Sequence, residues 1–130
     1  MKDFKVYLFL TLILVFTSVS WITSCTHKPD ISDIPEICFE GDILPIFQNS
    51  CAISGCHDGN GESDLVLNTY QSIVDKVEPG NSYASKIYQV ITTTSGEEKM
   101  PPDQPLSTDN RSLIKLWIDQ GAKQTSCPDK

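Results

Sequence analysis

The chain has 130 residues, enough for one domain, and 39% of them are hydrophobic, so its core is modest and gains from a prosthetic group or covalent staples. Its 10 lysines and arginines face 17 aspartates and glutamates, a net charge of -7. Such an acidic surface disfavours nucleic acid and points to a basic docking partner, or to contact through a local patch.

The first residues separate from the rest. Lys2 and Lys5 precede the uncharged apolar run VYLFLTLILVF, which is short for a membrane span, and small polar residues then lead into Ile22, Thr23, Ser24 and Cys25. The pattern predicts export, with residues 1–24 a signal peptide ending in a bacterial lipobox and Cys25 acylated as the new N-terminus. A plain secretory signal and an uncleaved anchor helix over residues 6–24 are the other readings, and all three export the remaining chain. Loss of the leader removes two lysines and one aspartate, leaving a net charge of -8. The expected location is a lipid-anchored position facing the periplasm or the cell surface. Residues 25–37 then form the lipidated N-terminus and a polar, proline-marked tether, THKPDISDIPEI. Cys38, Cys51, Cys56 and Cys127 remain, and an exported protein normally uses an even set of thiols in disulfides or covalent cofactor links. Two disulfides, with three possible pairings, are the plainest use.

A first helix is predicted over Asp42 to Asn49, capped by Asp42, with Pro45 in its first turn and Ile43, Leu44 and Phe47 on one face. The stretch CAISGCH comes next, then a polar glycine-rich loop, DGNGESD. LVLNTYQSIVDKV reads as an extended piece that turns into a short helix from Thr69, which Pro79 and Gly80 stop. A third helix is expected over Ser82 to Ile91, started by Asn81 or Ser82, with Tyr83, Ile87, Val90 and Ile91 facing inward. TTTSGEEK is a polar loop. The last helix, within STDNRSLIKLWIDQG, has Ser107 or Thr108 as its cap, Asp109 at its positive end, a stripe of Leu113, Ile114, Trp117 and Ile118, and Gly121 as its stop. With no sheet pattern and no repeat, the expected class is all-α, a small helical domain with long loops that need something to pack on. Residues 128–130 are a tail.

The chemistry sits in CAISGCH. Covalent haem attachment needs two thiols that add across two vinyl groups on one porphyrin edge, and an imidazole that reaches the iron from one face. Cys56 followed at once by His57 meets the second need. The four residues between Cys51 and Cys56 must loop out, and Gly55 can take the positive φ such a turn requires. For a second axial ligand the mature chain offers only His27, two residues from the lipid anchor, and Met100, in KMPPDQPL, where Pro101 and Pro102 stiffen the backbone. A lone methionine otherwise fills gaps in a core. Zinc on Cys51, Cys56 and His57 is disfavoured, because sequence-adjacent ligands rarely converge on one tetrahedral ion and no good fourth ligand stands nearby. A Cys51–Cys56 disulfide is the more serious rival. Thioredoxin-type redox work fits neither the spacing nor the surrounding pattern.

Taken together, DILPIFQNSC, CAISGCH, MPP and LIKLWIDQGA over residues 38–127 resemble the small c-type cytochrome domains of bacterial lipoproteins in which CxxxxCH replaces CxxCH. The resemblance implies a cytochrome c-like helical fold wrapped around one covalent haem c. First and last helices cross, through Phe47 and Trp117. Cys51 and Cys56 supply the thioethers, and His57 and Met100 the axial ligands. It further implies that Cys38, before the first helix, and Cys127, after the last, meet in a disulfide. The function implied is single-electron transfer to a protein redox partner, not enzymatic catalysis, since two axial ligands fill the iron. The alternative from another class is a haem-free lipoprotein module for binding or assembly, stapled by two disulfides that include Cys51 with Cys56.

Overall fold

The structure is a computed structural model that describes residues 4–7, 30–61, 63–96 and 98–127. The chain divides into two units, Met1–Asp30 and Ile31–Lys130. In the first, residues 4–7 are helical. The expected h-region beyond them, the lipobox with Cys25, and His27 lie outside the described residues. Among the described residues no helix is long and apolar enough to cross a membrane.

Among the described residues the second unit holds four α-helices: α1 (Leu44–Ser50), α2 (Tyr70–Val74), α3 (Lys86–Thr92) and α4 (Thr108–Asp119). No strand is present among the described residues, in keeping with an all-α class. A π-helical turn, Phe39–Ile43, leads into α1. Its cap is Cys38, whose Sγ accepts from the Gly41 N–H at 3.4 Å while Asp42 Oδ2 accepts from the Cys38 N–H at 3.1 Å. Helical structure therefore begins upstream of the expected start, and Asp42 reaches back to the cap residue instead of capping the helix itself. Ile43 and Phe47 are buried and Leu44 packs beside them, the face the sequence pattern outlined.

Thr69 starts α2 as expected, its Oγ1 accepting from the Ser72 N–H at 3.3 Å. The helix ends at Val74, well before Pro79 and Gly80. The expected helix over Ser82 to Ile91 is split. Asn81 caps a 3-10 turn, Ser82–Ala84, and α3 begins only at Lys86. The cause is Ser85, buried between them. Its Oγ accepts from the Glu78 N–H at 2.8 Å and donates to the Asn81 carbonyl at 2.9 Å, which competes with a continuous helical ladder. The break turns Tyr83 outward, 71% exposed, where the sequence placed it inward. Its ring lies under Lys115 Nζ, 5.3 Å from the centroid. Ile87 and Ile91 do face the core, with Val90 packed at its margin.

The local signals for α4 are realised at both ends. Ser107 Oγ accepts from the Asn110 N–H at 3.1 Å. At the other end the Ala122 N–H donates to the Trp117 carbonyl at 2.8 Å and the Gly121 N–H to Ile118 at 2.9 Å, a Schellman cap that Gly121 makes possible at φ +103°. Ile114, Trp117 and Ile118 are buried and Leu113 partly so.

Trp117 meets the front of the domain through Phe39, ring centroids 5.5 Å apart, and Tyr70 stands edge-on to the same Phe39 at 5.1 Å. Phe39, not the expected Phe47, is thus the aromatic partner of Trp117. The π-helical turn swings Phe39 inward, and the Trp117 indole is steered by its Nε1–H, which donates to the Lys123 carbonyl at 2.9 Å. The two ends of the domain are tied together. The Phe39 N–H donates to Thr125 Oγ1 at 3.0 Å, the Glu40 N–H to the Thr125 carbonyl at 3.2 Å, and the Ile37 N–H to Gln120 Oε1 at 2.8 Å. Beside these bonds Cys38 and Cys127 form a disulfide, with Cα atoms 5.4 Å apart, as the resemblance implied.

Candidate functional site

The CAISGCH stretch starts where α1 stops. Cys51 is the C-cap, and the N–H groups of Cys51 and Ala52 both donate to the Phe47 carbonyl, at 2.9 and 2.8 Å. Its side chain packs against the core cluster. The chain then turns through Ile53, Ser54 and Gly55, all exposed, and Gly55 takes φ +83°, the conformation expected of it. The Cys56 N–H donates to the Ile53 carbonyl at 3.0 Å, and the His57 N–H to the Cys51 carbonyl at 3.1 Å. That second bond brings the backbone of His57 against the backbone of Cys51. The residues that make the spacing long are accommodated as a bulge into solvent.

His57 is held by a segment that the sequence did not mark as functional. The Leu67 N–H donates to the His57 carbonyl at 2.9 Å, and His57 Nδ1 lies 3.0 Å from the Leu65 carbonyl oxygen. A carbonyl oxygen only accepts, so Nδ1 is the donor in this pair, and in the neutral ring that leaves Nε2 its lone pair. This is how proteins orient a histidine that binds a metal. Backbone carbonyls have no residue-type signal, and the extended reading of the segment before Thr69 is the sole trace of this role.

Cys51 and Cys56 are free thiols. Burial, with a smaller contribution from the Cys56 thiol nearby, pushes the Cys51 thiol up to about 11, so it is neutral at physiological pH. Since the folded value lies above the ordinary 9.0, the stability this implies is whole below pH 9.0 and drains as pH rises toward 11. The urea midpoint of the haem-free chain is expected to fall across that window more steeply than that of Cys51→Ala. Equal slopes in the two proteins would show that Cys51 titrates as if exposed.

Met100 is half-buried on a separate segment, and its N–H donates to the Val90 carbonyl at 3.0 Å, which ties MPP to α3. The structure therefore gathers Cys51, Cys56 and His57 in one loop, with Met100 supported from another element. Among the described residues no three His, Cys, Asp or Glu side chains group as a metal-holding cluster.

Residues 54–104 match the model of the family described as Planctomycete cytochrome C. The match supports a small cytochrome c-like domain, and it spans Cys56, His57 and Met100 but begins after Cys51. No curated protein and no solved structure matches the chain.

Proposed function

We propose that this chain is an exported, lipid-anchored monohaem c-type cytochrome that carries single electrons. Cys51 and Cys56 hold the haem as thioethers, and His57 Nε2 and Met100 Sδ are its axial ligands. The observation that carries the reading is the hydrogen bond from His57 Nδ1–H to the Leu65 carbonyl, which leaves a ligating lone pair directly beside Cys56. The family match over residues 54–104 and two free thiols in one closed loop support the same reading. They fit a covalent haem better than a second disulfide staple.

When bound, the haem supplies one-electron iron chemistry, and a methionine ligand raises its potential. The chain's own contributions are orientation and exclusion of water. The Leu65 carbonyl fixes the imidazole, the Cys51 side chain sits against the apolar core, and Pro101 and Pro102 restrict the backbone that presents Met100. With both axial positions filled the protein is a carrier and not an enzyme. Its partner is a redox protein with a basic face, matching the acidic chain, and nucleic acid is not a partner. Cys25 anchors the chain to a membrane.

One set of spectra tests this. Purified from a periplasm that contains haem-attachment machinery, the wild-type chain is expected to show a Soret band and a mass gain of one haem. After reduction, alkylation should be found at Cys38 and Cys127 and not at Cys51 or Cys56. Met100→Ala should keep the Soret band and lose the sulfur-to-iron charge-transfer band in the red. Absence of any Soret band from the wild type would end the cytochrome reading, and persistence of the red band in Met100→Ala would remove Met100 from the iron.

A further inference from the structure

We infer that Gly61 is a positioning residue for haem attachment, which sets the Cys56 thiol and the His57 ring in register with Cys51. The inference rests on the haem reading above and adds to it a residue outside the CAISGCH stretch.

A Cβ placed on Gly61 would run into the Cys56 carbonyl oxygen and stand 2.7 and 2.8 Å from the carbonyl carbon and oxygen of Gly55. These are backbone atoms, which cannot swing aside like the tip of a side chain. Of the chain's 7 glycines only one other has its missing side chain filled so closely, Gly41 against Cys127 Sγ at the disulfide. A Cβ added at Gly55, Gly80, Gly96 or Gly121 would meet nothing within 4 Å. Close approach, and not a positive φ, is therefore what Gly61 is needed for.

The chain reaches this position by a local turn. The Asn60 N–H donates to Asp58 Oδ1 at 2.9 Å, and Gly59 at φ +93° sends the backbone back toward the motif. Gly61 then lies against the Gly55–Cys56 peptide on one side. On the other, the Cys56 and His57 N–H groups are bonded to Ile53 and Cys51. The peptide that carries Cys56 is clamped between the two.

The clamp answers a chemical need. Each thiol adds across one vinyl group: a carbon–sulfur bond forms, the thiol proton ends on the other vinyl carbon, and the double bond is consumed with no net oxidation or reduction. Both additions require the two sulfurs at one fixed separation. A four-residue insert held by few bonds and exposed at Ile53, Ser54 and Gly55 sets that separation poorly by itself, so support must come from outside it.

The test is Gly61→Ala in the full chain, expressed with haem-attachment machinery and compared with wild type and with Gly96→Ala. The Cβ added there meets nothing but the φ of +95° strains the backbone, so that Gly96→Ala serves as the control for a general loss of stability away from the motif. Haem per chain is read by the pyridine haemochrome and thioether number by mass spectrometry after alkylation. Gly61→Ala is expected to carry about ten-fold less haem. In the fraction that is loaded, Cys56 should be open to iodoacetamide and the haemochrome band shifted to the red by the surviving vinyl group, while the Cys38–Cys127 bond stays intact. A generally destabilised domain would lose haem without this single-thioether product, and that outcome would overturn the positioning role. Asp58→Ala, which loosens the turn without a clash, is expected to give the same product and decides the matter if Gly61→Ala does not fold. Wild-type loading through both thioethers in the folded variant overturns the role of Gly61 alone. A wild-type chain that takes up no haem overturns the cytochrome reading itself, and this inference with it.

Discussion

Replacing Cys38 and Cys127 together by serine is expected to lower the unfolding free energy by about 4 to 5 kcal/mol in the chain-entropy model, because the bond closes a loop with a sequence separation of 89. Against the roughly 5 to 15 kcal/mol that holds a small domain together, this is a large share. The other ties between the ends do not replace it. The bonds from Ile37, Phe39 and Glu40 to Gln120 and Thr125 form only once the ends have met, and each adds on the order of 1 kcal/mol. The disulfide shortens the search for that meeting. Serine at position 38 retains an oxygen able to accept from Gly41, so the capping geometry changes little and the measured loss reports mainly the lost cross-link. Urea unfolding of the double variant, and of wild type with and without reductant, gives the number. A loss below about 1 kcal/mol would mean that the unfolded chain is already compact enough for the staple to matter little.

The stapled ends also explain which parts of the fold are legible in the sequence. In α4, Ser107, the apolar stripe and Gly121 each act within one or two turns, so residue type and spacing suffice. The start of the domain is different. Phe39 becomes the partner of Trp117 because a π-helical turn, capped by Cys38 and tied to Thr125 across the whole domain, swings it inward. No local pattern records that. Ser85 is similar, since its preference for backbone groups at Glu78 and Asn81 outweighs good helical periodicity on both sides. At the site, Cys51, Cys56 and His57 stand out because the proposed haem attachment uses their side chains. Leu65 and Gly61 do not, as one contributes a carbonyl and the other the absence of a side chain.

That contrast between visible chemistry and hidden support defines the effect of replacing His57. In His57→Ala the haem-free fold is expected to lose only about 0.5 to 1.5 kcal/mol, the worth of one hydrogen bond from a half-buried ring. The rest of its anchoring is backbone: the residue 57 N–H still donates to Cys51 and its carbonyl still accepts from Leu67, so the closed loop survives the substitution. Haem binding should respond on another scale. On the proposed ligation, removing the imidazole beside Cys56 takes from the iron the ligand that the Leu65 carbonyl orients, and loading of low-spin haem should fall by at least about ten-fold. Any haem that does attach should be high-spin, and added imidazole should return it to a low-spin spectrum. The two measurements, urea unfolding of the haem-free chain and the visible spectrum of the loaded one, separate a ligand from a packing residue. A haem-free His57→Ala protein destabilised far beyond the worth of one hydrogen bond would make His57 structural, and a loaded one with an unchanged low-spin spectrum would move the axial ligand elsewhere in the chain.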